Sequence, residues 1–175
     1  KISHSSAKNL HWTQMSDEQM REIYGNYSRD ITTPYSGNAE DLNRYLKGKG
    51  VLSGQGQAFI DAQNKYGISA AVLAGIAISE SGGTSSLARK RFNVTSISSS
   101  RGWRRFNNVS ECIDYTASML ANRYVKNSGL SGVSLKTLYQ INAKYCPVSD
   151  TRNNSSNNRF WAQNVENKVR EIEKA

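Results

Sequence analysis

The chain has 175 residues, a formal net charge of +9 and a pI of about 9.7. This length suits one domain with a hydrophobic core, and the mean hydropathy of −0.64 excludes a chain dominated by membrane-spanning segments. The positive charge favours an anionic partner such as nucleic acid, an acidic membrane surface or a bacterial wall. The basic residues are dispersed and accompany no nucleic-acid motif, which argues against a nucleic-acid-binding domain.

The N-terminal part of the chain differs in character from the rest. The pattern SDEQ, from Ser16, resembles a capping box and predicts a helix to about Tyr24, followed by a polar linker. We therefore expect residues 1–37 to be an appendage or linker with one helix, and residues 38–175 to be the main domain. Because the chain begins at Lys1 without a secretion signal, we expect it to be a piece of a longer protein.

The main domain is expected to be mainly α-helical, because prolines are rare and apolar residues recur at spacings of three and four. In chain order the pattern predicts a helix at about 41–46 and one at 55–66, which Gly67 ends. Three more helices are predicted to begin at N-caps on Ser69, Ser110 and Ser134, and a last helix is predicted at about 158–173. The inner stripe of the last helix is predicted to be Phe160, Trp161, Val165, Val169 and Ile172.

Residues 92–109 interrupt the helical pattern. They mix β-branched and aromatic residues with turn formers, which predicts an irregular loop or a small β-hairpin over the functional site. Cys112 and Cys146 have neither metal-site nor CxxC spacing, so a disulfide and two buried thiols both stay open, with buried thiols favoured. His4 and His11 lie in the predicted appendage, and we therefore expect no metal site and no cofactor.

One carboxylate ends an apolar helix. In the stretch GIAISESGG, Glu80 shares its helix face with apolar residues three, four and seven positions earlier. Desolvation and the negative end of the helix dipole both disfavour its anion, so we expect a raised pKa and an acid able to protonate a leaving group. Gly82 and Gly83 can end the helix and leave room for a substrate. A glutamate that simply turns to solvent is the alternative.

A longer stretch resembles a known family. The segments LKGKGVLSGQGQAFIDAQNKYGISAAVLAGIAISESGGTSSLA, FNVTSI, RGWRRFNNVSECIDY, KYCPVSD and FWAQNV resemble the glucosaminidase domains of glycoside hydrolase family 73, over about residues 43–172. The resemblance implies a lysozyme-like α-fold that cuts peptidoglycan between N-acetylglucosamine and N-acetylmuramic acid. It also implies that Glu80 is the general acid, that Tyr145 is the site tyrosine and that Asn93 is the asparagine of the family's N-x-F-G-I motif.

The sequence departs from that family at three places. The segment after Glu80 is one residue shorter than the commonest form, so a tighter turn over residues 82–85 is expected. Thr95 and Ser96 stand where Phe-Gly is usual. Residues 81–110 contain no Asp or Glu, whereas many relatives have a second carboxylate there, and Glu111 and Asp114 are expected to cap the next helix or to face solvent. We therefore expect catalysis without a dedicated second carboxylate. The substrate's own 2-acetamido group would attack the anomeric carbon, assisted by the site tyrosine and the motif asparagine.

Four more residues are candidates for substrate binding. Ser81 and Gly82 follow the predicted acid directly. Trp103 could stack on a sugar ring while Arg104 meets anionic groups, although a tryptophan that anchors the loop is an equally good interpretation. Trp161 is expected to be a core residue.

Together these features predict a secreted, monomeric endo-β-N-acetylglucosaminidase, one domain of a modular autolysin at the bacterial wall. Its partners would be peptidoglycan glycan strands and anionic wall polymers. A lytic transglycosylase, which would leave 1,6-anhydro-muramyl products, is the first alternative. A non-catalytic wall-binding module is the second, and a nucleic-acid-binding domain is the third.

Overall fold

The computed structural model describes residues 29–126, 134–145 and 160–175. In chain order the elements are α1 (Ala39–Leu46), a 3₁₀ turn (Gly50–Leu52), α2 (Gly56–Tyr66), α3 (Ala70–Ser81), α4 (Ser86–Arg91), β1 (Ser98–Ser99), β2 (Gly102–Trp103), α5 (Val109–Met119), a π-helical turn (Leu120–Val125), α6 (Leu138–Tyr145) and α7 (Trp161–Lys174). β1 and β2 pair as an antiparallel hairpin. The predicted mainly α fold with a small hairpin is confirmed, while its likeness to lysozyme stays a prediction.

Helix α3 lies at the centre of the core. Residues 70–77 are all buried, as expected of a helix that is apolar on every side. The Ser69 hydroxyl caps its start, accepting from the backbone amide three residues on at 3.3 Å, and Gly82 ends it with a φ of 60°. Helix α7 packs along α3 so closely that a Cβ at Gly75 would lie 3.0 Å from Val169 Cγ2. Both helices are therefore fixed relative to each other.

Residues 29–37 belong to the same packed unit as the helices. Ile31 is fully buried, and its backbone bonds both the residue before α3 and the loop before α6. Arg29 forms an ion pair with the buried Glu166 on α7. The predicted appendage thus packs against the core in its described part, and the expected boundary after residue 37 does not coincide with a break in packing. Residues 1–28, with their predicted helix, lie outside the described residues.

Two predicted helix starts are wrong. Asn108 rather than Ser110 caps α5, because its side-chain oxygen accepts from the amide three residues on at 2.8 Å. Helix α6 begins at Leu138, and the Thr137 hydroxyl, not Ser134, accepts from an amide of its first turn at 3.4 Å. Asparagine and threonine satisfy the same free amides as serine, so several adjacent polar residues compete for each cap.

The last helix is shorter than predicted. It begins at Trp161, and Phe160 just before it is 48% exposed, so that residue is wrong as a member of the inner stripe. The other four predicted members of the stripe are buried. None of the described helices is long and apolar enough to cross a membrane. Cys112 is a buried free thiol whose pKa is raised by burial, and Cys146 lies outside the described residues.

Candidate active site

The site is built around Glu80, in the last turn of α3. Its side chain is half-buried, and burial raises the pKa of its carboxyl above the ordinary value. Hydrogen bonds from Trp161 and Ser96 act in the opposite direction, because they stabilise the anion. Burial is the larger effect, so the acid holds its proton to higher pH than a solvated glutamate. The predicted raised pKa is therefore confirmed.

The partner of Glu80 fixes which oxygen can carry the proton. Trp161 Nε1 donates to Glu80 Oε1 at 2.9 Å. An indole N–H can only donate, so Oε1 acts as the acceptor and the proton of the neutral acid belongs on Oε2. The acid is thus oriented as well as shifted toward its neutral form. A carboxyl group held in this way can protonate the oxygen of a leaving group.

Trp161 was predicted only as a core residue, and its second role was missed. It is the first residue of α7 and is 5% exposed. A buried indole usually finds a hydrogen-bond acceptor, and the tight packing of α7 on α3 brings it to Glu80 across 81 positions of sequence. The feature of the sequence that could have predicted this bond is a tryptophan in the apolar stripe of α7, because that stripe packs on the helix that carries Glu80.

The loop from 93 to 97 forms the second side of the site. Asn93 is fully buried, and its Nδ2 donates to the carbonyl oxygens of Ile97 and Arg104 at 2.8 and 2.9 Å. Its Oδ1 accepts from the Ile97 amide at 2.8 Å. The predicted contact between this amide and substrate has no support in the geometry, because backbone groups occupy both ends of the amide. Asn93 acts on the site by fixing the loop.

The two departures from the family motif have different surroundings. Ser96 has a φ of 57°, which an L-residue adopts only at a cost, and its side chain hydrogen-bonds Glu80. Thr95 is buried instead, with its hydroxyl 2.8 Å from Thr116 Oγ1 and 3.3 Å from Cys112 Sγ. A buried polar cluster thus lies next to this loop, at a position where the family resemblance predicts an aromatic residue. The positioning role of Ser96 was not predicted.

Ser81 connects the acid helix to the same loop. Its hydroxyl lies 2.8 Å from the carbonyl oxygen of Val94 and 3.0 Å from that of Ala77, and it accepts from the Gly83 amide at 3.1 Å. These contacts brace the backbone on both sides of Glu80. Binding of substrate by Ser81 stays a prediction, and the hydroxyl already has three backbone neighbours.

The turn after the acid is fixed by close backbone packing. Gly82 ends α3 in the left-handed region and is partly exposed next to Glu80. Gly83 has a φ of 77°, and a Cβ there would lie only 2.1 Å from the carbonyl oxygen of Lys49. Its own carbonyl accepts from the Val51 amide at 2.9 Å. Glycine is required at 83, because a side chain would push the turn off the segment before α2.

The acidic residues nearest in sequence are engaged elsewhere. Glu111 is exposed in the first turn of α5 and accepts from Asn107 at 2.9 Å. Asp114 accepts from the Tyr66 hydroxyl at 2.9 Å. Among the described residues, no neighbouring charge contributes to the pKa shift of Glu80. Because a second carboxylate close to Glu80 would appear as such a charge, these causes favour a single acid in the described part of the site.

The hairpin carries the remaining candidates. Trp103 is 52% exposed on β2, which leaves its ring available to a ligand. The Arg104 guanidinium lies 4.4 Å from the centre of the Tyr115 ring, and the residue is exposed. Tyr145 is the last residue of α6, but its side chain lies outside the described part of the chain. No cluster of three His, Cys, Asp or Glu that could hold a metal occurs in the described residues.

Comparison with known proteins identifies the family. The profile of the glucosaminidase family, described as mannosyl-glycoprotein endo-beta-N-acetylglucosaminidase, matches residues 56–174. A bifunctional autolysin of Staphylococcus epidermidis is 37% identical over 100 residues, which are 55% of this chain and 8% of the autolysin. A bifunctional autolysin of Staphylococcus aureus is 35% identical over 107 residues, 59% of this chain and 9% of the autolysin. The chain thus spans less than a tenth of these relatives.

Solved structures agree on the fold. A catalytic mutant of S. aureus autolysin E in complex with the disaccharide NAG-NAM has a TM-score of 0.69 at 19% identity, covering 99% of this chain and 91% of that chain. Autolysin E in complex with the muropeptide NAM-L-Ala-D-iGlu has a TM-score of 0.67 at 20% identity, with the same coverage. Since the family profile also matches well over half of its residues, this chain belongs to the glucosaminidase family of glycoside hydrolases, the endo-β-N-acetylglucosaminidases.

Proposed function

We propose that this chain hydrolyses bacterial peptidoglycan at the β-1,4 bond between N-acetylglucosamine and N-acetylmuramic acid, with Glu80 as the general acid. The observation that carries the proposal is the half-buried Glu80 carboxyl, whose pKa is raised by burial and whose Oε1 accepts from Trp161 at 2.9 Å. The substrate class is supported by relatives named autolysins and by a fold shared with autolysin E, which was crystallised with NAG-NAM.

The single acid favours a mechanism in which the substrate supplies the nucleophile. The carbonyl oxygen of the 2-acetamido group attacks C1 of N-acetylglucosamine, and the bond from C1 to the leaving O4 breaks. Glu80 Oε2 gives its proton to that O4. The Glu80 carboxylate then takes a proton from water as the water opens the oxazolinium ring at C1, so the product keeps its β configuration. Tyr145, as the family's site tyrosine, is proposed to orient or stabilise the acetamido group.

The proposed substrate also determines where the enzyme would act. A substrate of wall glycan strands requires the chain to act outside the membrane, so we propose a secreted monomer that works at the bacterial wall. A lytic transglycosylase uses the same single acid but ends the reaction with an internal hydroxyl of muramic acid. The two reactions differ by one water molecule in their products.

Product analysis tests the proposed function. Purified peptidoglycan is digested, the products are reduced with borohydride, and their masses are measured. We expect newly reduced N-acetylglucosamine ends. Anhydro-muramyl ends would instead identify a transglycosylase, and the absence of new ends at any enzyme concentration would identify a wall-binding module.

Ser96→Gly is expected to move the alkaline limb of the pH dependence of kcat/KM to higher pH. The Ser96 hydrogen bond holds the pKa of Glu80 down, so its loss lets the acid stay protonated, and active, to higher pH. Glycine removes the ~1–2 kcal/mol cost of a left-handed L-residue, but it also makes the unfolded chain more flexible, so Tm should change little. Ser98→Gly, on exposed β1, is the control. If the parent, Ser96→Gly and Ser98→Gly all have the same alkaline limb, the role of Ser96 is contradicted.

A further inference from the structure

The basic residues are dispersed along the chain, but its net positive charge is concentrated in one segment. Residues 81–110 contain six of the 23 basic residues and none of the 14 acidic ones, so this segment alone carries +6 of the net +9. The six residues, which we call the cationic face, lie on α4 and on the hairpin with its exit, and all are exposed: Arg89, Lys90, Arg91, Arg101, Arg104 and Arg105. Their concentration is not evident from the whole-chain charge.

Hydrogen bonds hold the two halves of the cationic face side by side. Arg91 Nη1 donates to the Trp103 carbonyl oxygen at 3.1 Å, and Arg105 Nη1 donates to the Lys90 carbonyl oxygen at 2.8 Å. The Phe106 amide donates to the Arg91 carbonyl oxygen at 2.9 Å. Helix α4 and the hairpin exit therefore form one continuous surface, and the cations are fixed by the fold.

The arginines of the cationic face donate their hydrogen bonds to uncharged acceptors. The guanidiniums of Arg89, Arg91 and Arg105 donate to backbone carbonyls, and Arg104 lies over an aromatic ring. Elsewhere in the described residues, basic groups such as Arg29, Arg44 and Arg170 pair with carboxylates. Within the described residues these six cations have no carboxylate partner. A folded surface that keeps them together loses stability by self-repulsion, which an anionic ligand would relieve.

We propose that the cationic face binds a phosphodiester polymer attached to the bacterial wall, beside the glycan strand that Glu80 cuts. Guanidinium groups match the geometry of phosphate oxygens, and an array of cations suits a flexible chain of regularly spaced phosphates better than single carboxylates. The face adjoins the acid through the 93–97 loop, since Asn93 Nδ2 bonds the Arg104 carbonyl oxygen and Ser96 bonds Glu80. The location at the wall rests on the proposed function.

The test compares binding to two preparations of one wall. One keeps its phosphodiester polymers, and the other has lost them to hydrofluoric acid, which leaves the glycan and its peptide carboxylates. All proteins carry Glu80→Gln so that the wall is not cut during sedimentation at ~0.15 M salt. We expect Lys90→Gln with Arg101→Gln to weaken binding to the untreated wall about tenfold. Among the described residues, neither side chain makes a hydrogen bond that braces the hairpin.

Arg123→Gln with Lys126→Gln is the matched control, because it removes the same charge from the exposed end of the π-helical turn. It should change binding less than about twofold, since both residues lie outside the cationic face and screening at this salt weakens exposed charges beyond about 10 Å. Stripping the wall should weaken the parent protein and abolish the difference between the two double variants.

Three outcomes would overturn the proposal. Equal binding to untreated and stripped walls would mean that peptide carboxylates or the glycan are the ligand. Equal weakening by both double variants would mean that only net charge matters, and tighter binding to a DNA duplex than to the untreated wall would indicate a nucleic-acid surface. Cleavage of the stripped wall by proteins that retain Glu80 measures the proposed function separately, so failure of one proposal is distinguishable from failure of the other.

Discussion

Glu80→Gln is expected to lower kcat by ~10²–10⁴-fold, the usual contribution of a positioned general acid. Glutamine has the same shape, and its Oε1 can still accept from Trp161 Nε1, which donates to Glu80 at 2.9 Å in the native protein. The variant therefore keeps the orientation of the side chain and loses only the proton that the leaving oxygen needs. Release of reducing ends from purified peptidoglycan measures the loss. A variant with more than about a tenth of native kcat would exclude Glu80 as the acid.

The stability of the same variant gives an independent measure of the raised pKa. The carboxyl has a pKa above its ordinary 4.5 in the folded state, so above about pH 4.5 the unfolded chain loses its proton first. Native stability therefore falls as pH rises from the unfolded to the folded pKa. Glutamine does not titrate, so the Tm of Glu80→Gln should match the parent at acid pH and exceed it at neutral pH. A parallel pair of Tm curves would contradict a raised pKa.

Two further carboxylate variants test whether the substrate supplies the nucleophile. Glu111→Gln and Asp114→Asn should each keep kcat within about threefold of the parent, because a dedicated base or nucleophile costs 10²-fold or more when removed. Asp114→Asn should also lower Tm slightly, since it weakens the bond from Tyr66. A folded but inactive variant at either position would contradict the substrate-assisted mechanism and identify the second carboxylate.

Local pattern predicted the acid, and long-range packing decided its partners. Glu80 could be placed at the end of a buried helix because helical periodicity and a terminal glycine are both short-range features. Trp161 could be recognised as a stripe residue, but its bond to Glu80 depends on the register of α7 against α3. That register is set by close packing at Gly75, and no pattern within either helix encodes it.

The loop was harder to interpret from sequence for a different reason. Asn93 has the right identity for a substrate ligand, yet a buried amide in a loop satisfies backbone groups first, because unpaired buried amides are costly. Ser96 has a left-handed φ of 57°, which nothing in the local pattern predicts for a serine. The direction of its side chain toward Glu80 depends on the loop as a whole.

Arg29→Met is expected to lower the free energy of unfolding by ~3 kcal/mol, as removal of one partner from a buried ion pair does. Arg29 Nε lies 2.6 Å from Glu166 Oε2, and the Glu166 side chain is only 4% exposed. Without the arginine, the cation that stays paired with the buried carboxylate among the described residues is Arg170, at 3.0 Å. Urea denaturation measures the loss. Arg44→Met is the control, because Arg44 is 65% exposed and pairs with Asp41 at the surface, where such pairs contribute ~0.2–1 kcal/mol.

The double variant Arg29→Met with Glu166→Met separates the ion pair from the packing of the segment. If the single variant loses stability because a charge is left unpaired, replacing both partners with apolar side chains should recover most of that loss. If the segment 29–37 is held mainly by Ile31, which is fully buried, both variants should be as stable as the parent. If Arg29→Met is destabilised and the double variant is destabilised to the same extent, the pair itself fixes the segment on α7. In that case the ion pair, and not the apolar core alone, holds residues 29–37 on the folded domain.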